Sequence, residues 1–496
     1  MDRSKQLVKN STIYFLGHLL AMVPGLISMP IMTRILEKEE YGTMVLINVT
    51  ISLIGLIAGF GIQDAVMRFY SAYKEDPTKS GQIGRFRNTS LTFFITLNGT
   101  AALFLISVTY TAQLFIAPGP VMIYLRIAAV LVLLRSALDI YLAFYREEGK
   151  ASHFCLVIIS QQYLAIFFAV IFAIYFFKGI LGVYLGMFLG EGLVVLLFLF
   201  LLFREKQVTQ PEWDSTIIRS LIQYGAPLLI SNVALLVMNM GDRYIIQYYL
   251  NAEAVANYSI PYQLILYVET MLFGPIRNAF VPYLFSLYEQ KGVEAVGKSV
   301  SLVIEFVLVL TIPAAFGLAY LGPDIIIILA TQKYVAAASL MWVVILGLFS
   351  FGIYHAILSN IPLLFKRTRL ISGLTCIGAI TNLLLNILLI PFLGLWGAAI
   401  ATAVSYLFIS GYTFFVVRAS VPIRIRGMIV VKSVLFSATM LITIEAMGKT
   451  SSLLLTIIAK LIVGALIYGL LQFTFNGDLR NFVYTFLKKK TLKESL

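Results

Sequence analysis

Arg277 stands in the stretch Phe273-Gly274-Pro275-Ile276-Arg277-Asn278-Ala279, with long apolar runs on both sides. A charge at the centre of a bilayer costs at least about 2.5–3.5 kcal/mol on insertion scales, so such a residue is expected to serve a purpose. Its planar guanidinium can donate two parallel hydrogen bonds to phosphate oxygens. The alternative is a structural ion pair with Asp64 or Glu269. Gln63 and Asp64 form a second polar group, followed by Arg68, which lies close enough to an aqueous boundary to snorkel. His18 would titrate near neutral pH and could pass protons, although a packed, hydrogen-bonded ring explains it as well. Asp242, Asn382, Asn386 and Thr402 offer carboxylate, amide and hydroxyl oxygens, a set suited to a hard monovalent cation. Hydrogen bonding among the amides is the competing reading. Arg126, Arg135 and Asp139 share one stretch; Arg135 and Asp139 are four residues apart, so they share a helix face and can neutralise each other. Glu191, Glu305, Glu445 and Lys460 have no partner evident in the sequence.

These residues need elements to hold them, and composition fixes the kind. Of the 496 residues 60% are hydrophobic and 12% charged, against about 25% charged in a soluble domain. A span needs roughly 17–25 mostly apolar residues. Fourteen runs qualify: 11–35, 42–69, 88–110, 121–145, 153–177, 180–203, 220–248, 255–287, 296–320, 335–358, 371–391, 395–417, 428–447 and 452–474. The first is too long for the core of a cleavable signal and is expected to be a span. The chain carries a formal net charge of +13. With the N-terminus in the cytoplasm, most of the 37 lysines and arginines fall in cytoplasmic connections, from Arg3 and Lys5 through Arg85 and Arg87 to Lys488 and Lys489. An even span count then leaves both termini inside. No connection is long enough for a nucleotide-binding or catalytic domain, which argues against an ATP-driven pump and against an enzyme. Cys155 and Cys376 lie far apart in apolar runs and lack the spacing of a disulfide framework or zinc site.

The chain repeats itself. Phe60-Gly61-Ile62-Gln63 aligns with Phe273-Gly274-Pro275-Ile276 if the proline is an insertion. Gly179-Ile180-Leu181-Gly182 aligns with Gly394-Leu395-Trp396-Gly397, and Arg34 with Arg243. The three pairs share an offset of about 210 residues, or six spans. Six is even, so the halves are parallel repeats, an arrangement in which substrate sites lie between halves. The expected organisation is an all-α integral membrane protein of about fourteen transmembrane helices: an N-lobe over 1–210, a C-lobe over 211–420, an additional helix pair over 421–475 and a basic cytoplasmic tail over 476–496.

Several short motifs follow one another in a fixed order. They are Thr33-Arg34-Ile35-Leu36 with Glu40-Tyr41-Gly42, Gly61-Ile62-Gln63-Asp64-Ala65 with Arg68, Tyr145-Arg146 with Gly149-Lys150, Gly241-Asp242-Arg243-Tyr244-Ile245-Ile246, and Asn382 and Asn386 leading to Pro391, Gly394, Gly397-Ala398-Ala399 and Ala401-Thr402. On these residues, from about 5 to 420, the chain resembles the multidrug/oligosaccharidyl-lipid/polysaccharide flippase superfamily, within it the polysaccharide-biosynthesis (Wzx-type, O-antigen or capsule repeat-unit) branch. The resemblance implies a flippase that carries a polyprenyl-phosphate- or pyrophosphate-linked oligosaccharide from the cytoplasmic to the outer leaflet of the cell (plasma or inner) membrane by alternating access. It implies no cofactor, coupling to Na+ or H+, and contact with membrane lipids and other polysaccharide-assembly proteins but not with nucleic acid. Arg277, Asn278, Gln63, Asp64, Arg68 and His18 become candidates for the headgroup cavity, and the final helix pair for the lipid tail. Asp242, Asn382, Asn386 and Thr402 resemble the sodium site of some relatives, except that Asn386 stands where a carboxylate is expected. The rival on the same fold is a cation-coupled multidrug and toxin extrusion antiporter. Cationic drugs would want an anionic cavity, so the arginines and the extra helix pair favour the saccharide reading.

Three signals are discounted. Gly292 to Ser299 spells a phosphate-binding loop, but that loop needs a preceding strand and an α/β domain. Gly182, Gly186 and Gly190 form a small-residue face that packing explains. Asn98-Gly99-Thr100 matches a glycosylation acceptor but falls inside a span. The lysines at 488–490 read as a topology signal or an anionic-lipid contact.

Overall fold

The computed structural model describes residues 3–75, 80–115, 120–204, 210–365, 367–448 and 450–477, and among them it is all-helical. The helices are α1 (Arg3–Ile35), α2 (Lys38–Gly59), α3 (Ile62–Glu75), α4 (Ile83–Phe115), α5 (Pro120–Glu147), α6 (Ala151–Ile171), α7 (Ile180–Arg204), α8 (Ser215–Met240), α9 (Asp242–Tyr249), α10 (Ala252–Ala330), α11 (Met341–Ala356), the single turn α12 (Ile361–Leu364), α13 (Thr368–Leu393), α14 (Leu395–Arg418), α15 (Gly427–Ala446) and α16 (Leu453–Phe475). Twelve helices among the described residues are long and apolar enough to cross a membrane. Helix is the form such sequences must take, because hydrocarbon offers no partner for an unpaired backbone N–H or C=O. Large apolar side chains stand outward, Phe392 at 85% and Ile442 at 72% exposure, a surface that lipid tolerates and water does not.

Glycine decides where several helices stop. Gly394 (φ +56) separates α13 from α14, so the narrow gap expected at 391–395 is a real break. The 79-residue α10 is two helices joined at Gly292, whose φ of 72° and ψ of −168° are non-helical; only glycine enters such a region without strain. The phosphate-loop lettering therefore begins at a helix break. Its Gly297 is a packing residue, since a Cβ there would lie 2.6 Å from the Pro422 carbonyl oxygen. The run expected as one span over 42–69 is interrupted. Phe60 (φ 48) and Gly61 (φ 66) are both left-handed, ending α2 and restarting the chain as α3.

Contacts divide the chain into two compact units, Met1–Ser259 and Ile260–Leu496. In the first, α6 packs between α1 and α7, α4 lies against α5, and α8 lies against α2, α3 and α4. The small-residue face of α7 does what its spacing implied: a Cβ at Gly186 would sit 2.3 Å from the Phe168 carbonyl oxygen and one at Gly190 2.5 Å from that of Leu164. One end of this unit is an aromatic cluster, with Tyr73 stacked on Phe86 and Tyr70 edge-on to Phe144. In the second unit α14 packs on α11 and α13, and α15 pairs with α16. Tyr468 of α16 donates to the Val309 carbonyl of α10 at 2.7 Å.

Asp214 begins α8. Its carboxylate accepts from the backbone N–H of Thr216 at 2.8 Å and of Ile217 at 3.3 Å, and Arg85 approaches to 3.0 Å. The Thr216 amide foremost, helped by Ile217 and Arg85, holds this carboxyl below its ordinary 3.8. A depressed carboxylate stabilises fully above the unfolded-state value and loses that contribution as the pH falls below it. Asp214→Ala should cost about 1 kcal/mol as a lost helix cap, with little added by the exposed ion pair. The expected result is a lower melting temperature than wild type in detergent at pH 7, with the two curves converging near pH 3.

Candidate functional site

Each unit holds a polar assembly inside its apolar helices. In the first, the Phe60–Gly61 break places Gln63 and Asp64 in the first turn of α3, where the helix dipole favours a negative charge. The break also permits a close crossing. A Cβ on Gly61 would fall 2.5 Å from the Gly225 carbonyl oxygen, and one on Gly225 2.4 Å from that of Phe60. Asn232 is two turns beyond Gly225 on the same face of α8, so this crossing sets its position, and its side chain hydrogen-bonds Asp64. On α5, Asp139 is hydrogen-bonded by Gln63.

Arg135 does not close on Asp139. Its guanidinium grips Glu191 of α7, with Nε 3.1 and 3.0 Å from the two carboxylate oxygens and Nη2 2.8 Å from one of them. Two matched hydrogen bonds to a carboxylate that is 2% exposed outcompete a partner four residues away on the same helix. Asp64, Asp139, Arg135, Asn98 and Asn232 line a cavity of about 300 Å³.

In the second unit Arg277 Nη1 lies 3.0 Å from His355 Nδ1. A guanidinium only donates, so Nδ1 accepts and the imidazole is neutral, with its proton on Nε2. The ring is held flat against Phe351, centroids 5.6 Å apart, and Phe351 stacks in turn on Tyr406. Buried Glu269 lies within electrostatic range of Arg277, but among the described residues no carboxylate forms an ion pair with it. Asn278 is exposed on the next position of α10. Of the proposed cation ligands, Asp242 is ion-paired with Arg243 at 2.5 Å in the first unit. In the second unit Asn386 donates to Asn382 Oδ1 at 3.0 Å and to the Asn382 carbonyl at 2.8 Å, and Thr402 is fully buried. Arg68 is exposed and lies over the Tyr224 ring at 5.3 Å. His18 is on α1, but its side chain lies outside the described residues.

The charges left without partners by sequence have them here. Besides Arg135 and Glu191, Arg426 forks onto Glu305 with Nη2 at 2.6 Å. The Tyr320 hydroxyl accepts from Lys460 at 3.1 Å and donates to Glu445. Sequence reasoning missed His355, although it is one of only three histidines, and it missed Asn98, set aside with its glycosylation lettering.

Residues 7–288, more than half of the chain, match the family described as polysaccharide biosynthesis protein. The chain belongs to that family. Its members are membrane transporters rather than enzymes, and this is a multi-pass membrane protein. An uncharacterized membrane protein of Methanocaldococcus jannaschii is 30% identical over 190 residues, which is 38% of this chain and 37% of that protein; the matched stretch thus spans little more than a third of that relative's length. Among solved structures, the lipid II flippase MurJ in an inward closed conformation superposes with a TM-score of 0.74 at 17% identity, covering 94% of this chain and 99% of that one. A multidrug resistance MATE family transporter in an inward-facing conformation gives 0.62 at 12% identity over 83% and 98%. A MOP superfamily transporter from Pyrococcus furiosus gives 0.58 at 13% over 85% and 96%. At these identities the likeness establishes the fold that this member of the polysaccharide biosynthesis family shares with both kinds of transporter.

Proposed function

We propose that this protein is a flippase that carries a polyprenyl-phosphate- or pyrophosphate-linked oligosaccharide from the cytoplasmic to the outer leaflet by alternating access, for cell-surface polysaccharide synthesis. The observation that carries the reading is Arg277, a cation within an apolar helix whose hydrogen-bond partner is a neutral imidazole. Its charge remains available to an anionic headgroup, which is what a phosphate-bearing lipid presents and a cationic drug does not. Family membership and a fold likeness to a lipid II flippase over 94% of the chain support the same reading. The test is reconstitution in vesicles loaded on one leaflet with a polyprenyl-pyrophosphate oligosaccharide. The expected result is protein-dependent appearance on the other leaflet, with no uptake of an organic cation such as ethidium. Ethidium transport without saccharide transport would replace this reading by the drug-extrusion one.

The membrane arrangement belongs to the same proposal. Reading α10 as two spans about Gly292 and adding α1 to the apolar helices gives fourteen, with parallel six-helix repeats, a final pair α15–α16 and both termini in the cytoplasm. Single cysteines at Lys38 and Lys333 should then react with an impermeant thiol reagent applied to intact cells, and cysteines at Lys74 and Arg85 should react only after permeabilisation. Labelling at Lys74 in intact cells would invert or break this topology.

A further inference from the structure

We propose that the cavity of the first unit binds a sodium ion through Asp64, Asp139 and Asn98, and that α8 completes the site through Asn232. Asn98 is 1% exposed. Its Nδ2 donates to the Phe94 carbonyl at 2.9 Å and the Ala58 carbonyl at 3.4 Å, which fixes the amide's orientation. The atom left facing the cavity is Oδ1, and among the described residues no donor meets it. A buried acceptor in that condition is costly unless something electropositive occupies the space before it. The charges point the same way. Arg135 is spent on Glu191, while Asp64 and Asp139 are met by neutral amides, Asn232 and Gln63. Buried charges are ordinarily paired or bound to ions. Arg135 lies in the lining and Arg146 acts on Asp64 from farther off; both oppose a doubly charged ion more than a singly charged one. Carboxylate and amide oxygens without sulfur or imidazole select a hard cation, and a cavity of about 300 Å³ leaves room for water to fill the remaining coordination.

The site deepens the transport reading and rests on it for its purpose. Three of its helices, α3, α4 and α5, come from the first sequence repeat, whereas Asn232 comes from α8, which the repeat assigns to the second. An ion held by all four would favour the state in which α8 is docked at the Gly61–Gly225 crossing, tying cation occupancy to the conformational cycle.

The test uses the purified full-length protein without substrate. Melting curves are recorded in sodium chloride and in choline chloride at matched ionic strength, and binding of radiolabelled sodium is measured. Sodium should raise the melting temperature of wild type by several degrees over choline, and that difference should vanish in Asp139→Asn and in Asn98→Leu. Asn386→Leu, which alters the amide pair of the second unit, should keep it. No sodium-specific shift in wild type, or a shift that survives in Asp139→Asn, would overturn the proposal, as would a shift lost in Asn386→Leu alone. If Asp139→Asn does not fold, radiolabelled sodium decides on Asn98→Leu, and wild-type affinity there would refute the site. These readouts contain no saccharide, so the cation site and the flippase reading can fail separately.

Discussion

Arg277→Ala is expected to lower saccharide-lipid translocation in vesicles roughly ten- to a hundredfold while leaving the helices folded. Hydrogen bonds to charged groups contribute about 1.5–3 kcal/mol, which sets that range. The fold should survive because the bond lost in the free protein is the single one to His355, and the ring stays clamped against Phe351. Arg277→Lys should recover part of the activity, since it keeps the charge and loses the fork. The comparison is initial rates at matched reconstitution, with melting curves as the fold control. Alanine transporting like wild type would make Arg277 a structural partner of His355 and nothing more. A lysine variant as inactive as alanine would place the effect in the geometry of the fork.

The second large effect is a contrast between two glycines that the sequence repeat aligns. Gly61→Ala should destabilise by about 2–5 kcal/mol: a left-handed non-glycine residue costs about 1–2 kcal/mol, and overpacking typically adds about 1–3 kcal/mol. Here the new Cβ would lie 2.5 Å from the Gly225 carbonyl oxygen, a backbone atom that cannot swing aside. Gly274→Ala, with nothing within 4 Å of its Cβ and α10 running through it, should instead be neutral or stabilise by up to about 1 kcal/mol. Melting temperatures of the two variants against wild type decide the matter. Equal shifts would mean that the two positions do not differ as the structure has them.

That contrast shows what sequence could and could not reveal. Hydropathy located the helices because lipid exposure demands long apolar runs, and it found the α13–α14 split because Gly394 and Pro391 mark it. The Gly182, Gly186, Gly190 spacing announced a close helix contact, and the α6–α7 crossing is that contact. Partners distant in sequence were another matter. Arg135 had an acid four residues away, and local spacing favoured it, yet Glu191 offered two hydrogen bonds from another helix. Asn98 carried a misleading lettering, and His355 had no neighbour in sequence to mark it. The alignment of Gly61 with Gly274 was visible, but not that one is a left-handed break and the other lies within a helix. Backbone conformation there depends on what crosses, and for Gly61 that is α8, more than 150 residues later.

Because α8 lies against α2, α3 and α4, a nascent chain emerging from the ribosome owns every helix of its first unit once residue 259 has been made. Glycine can meet glycine at that crossing, and Asn232 can reach Asp64, while the remaining 237 residues are still untranslated. A repeat boundary near residue 210 therefore need not be an assembly boundary. A translational pause just past α9 would give the first half time to close before the second half enters the bilayer, whereas a pause one helix earlier would leave the polar face of α3 waiting in lipid without its cover.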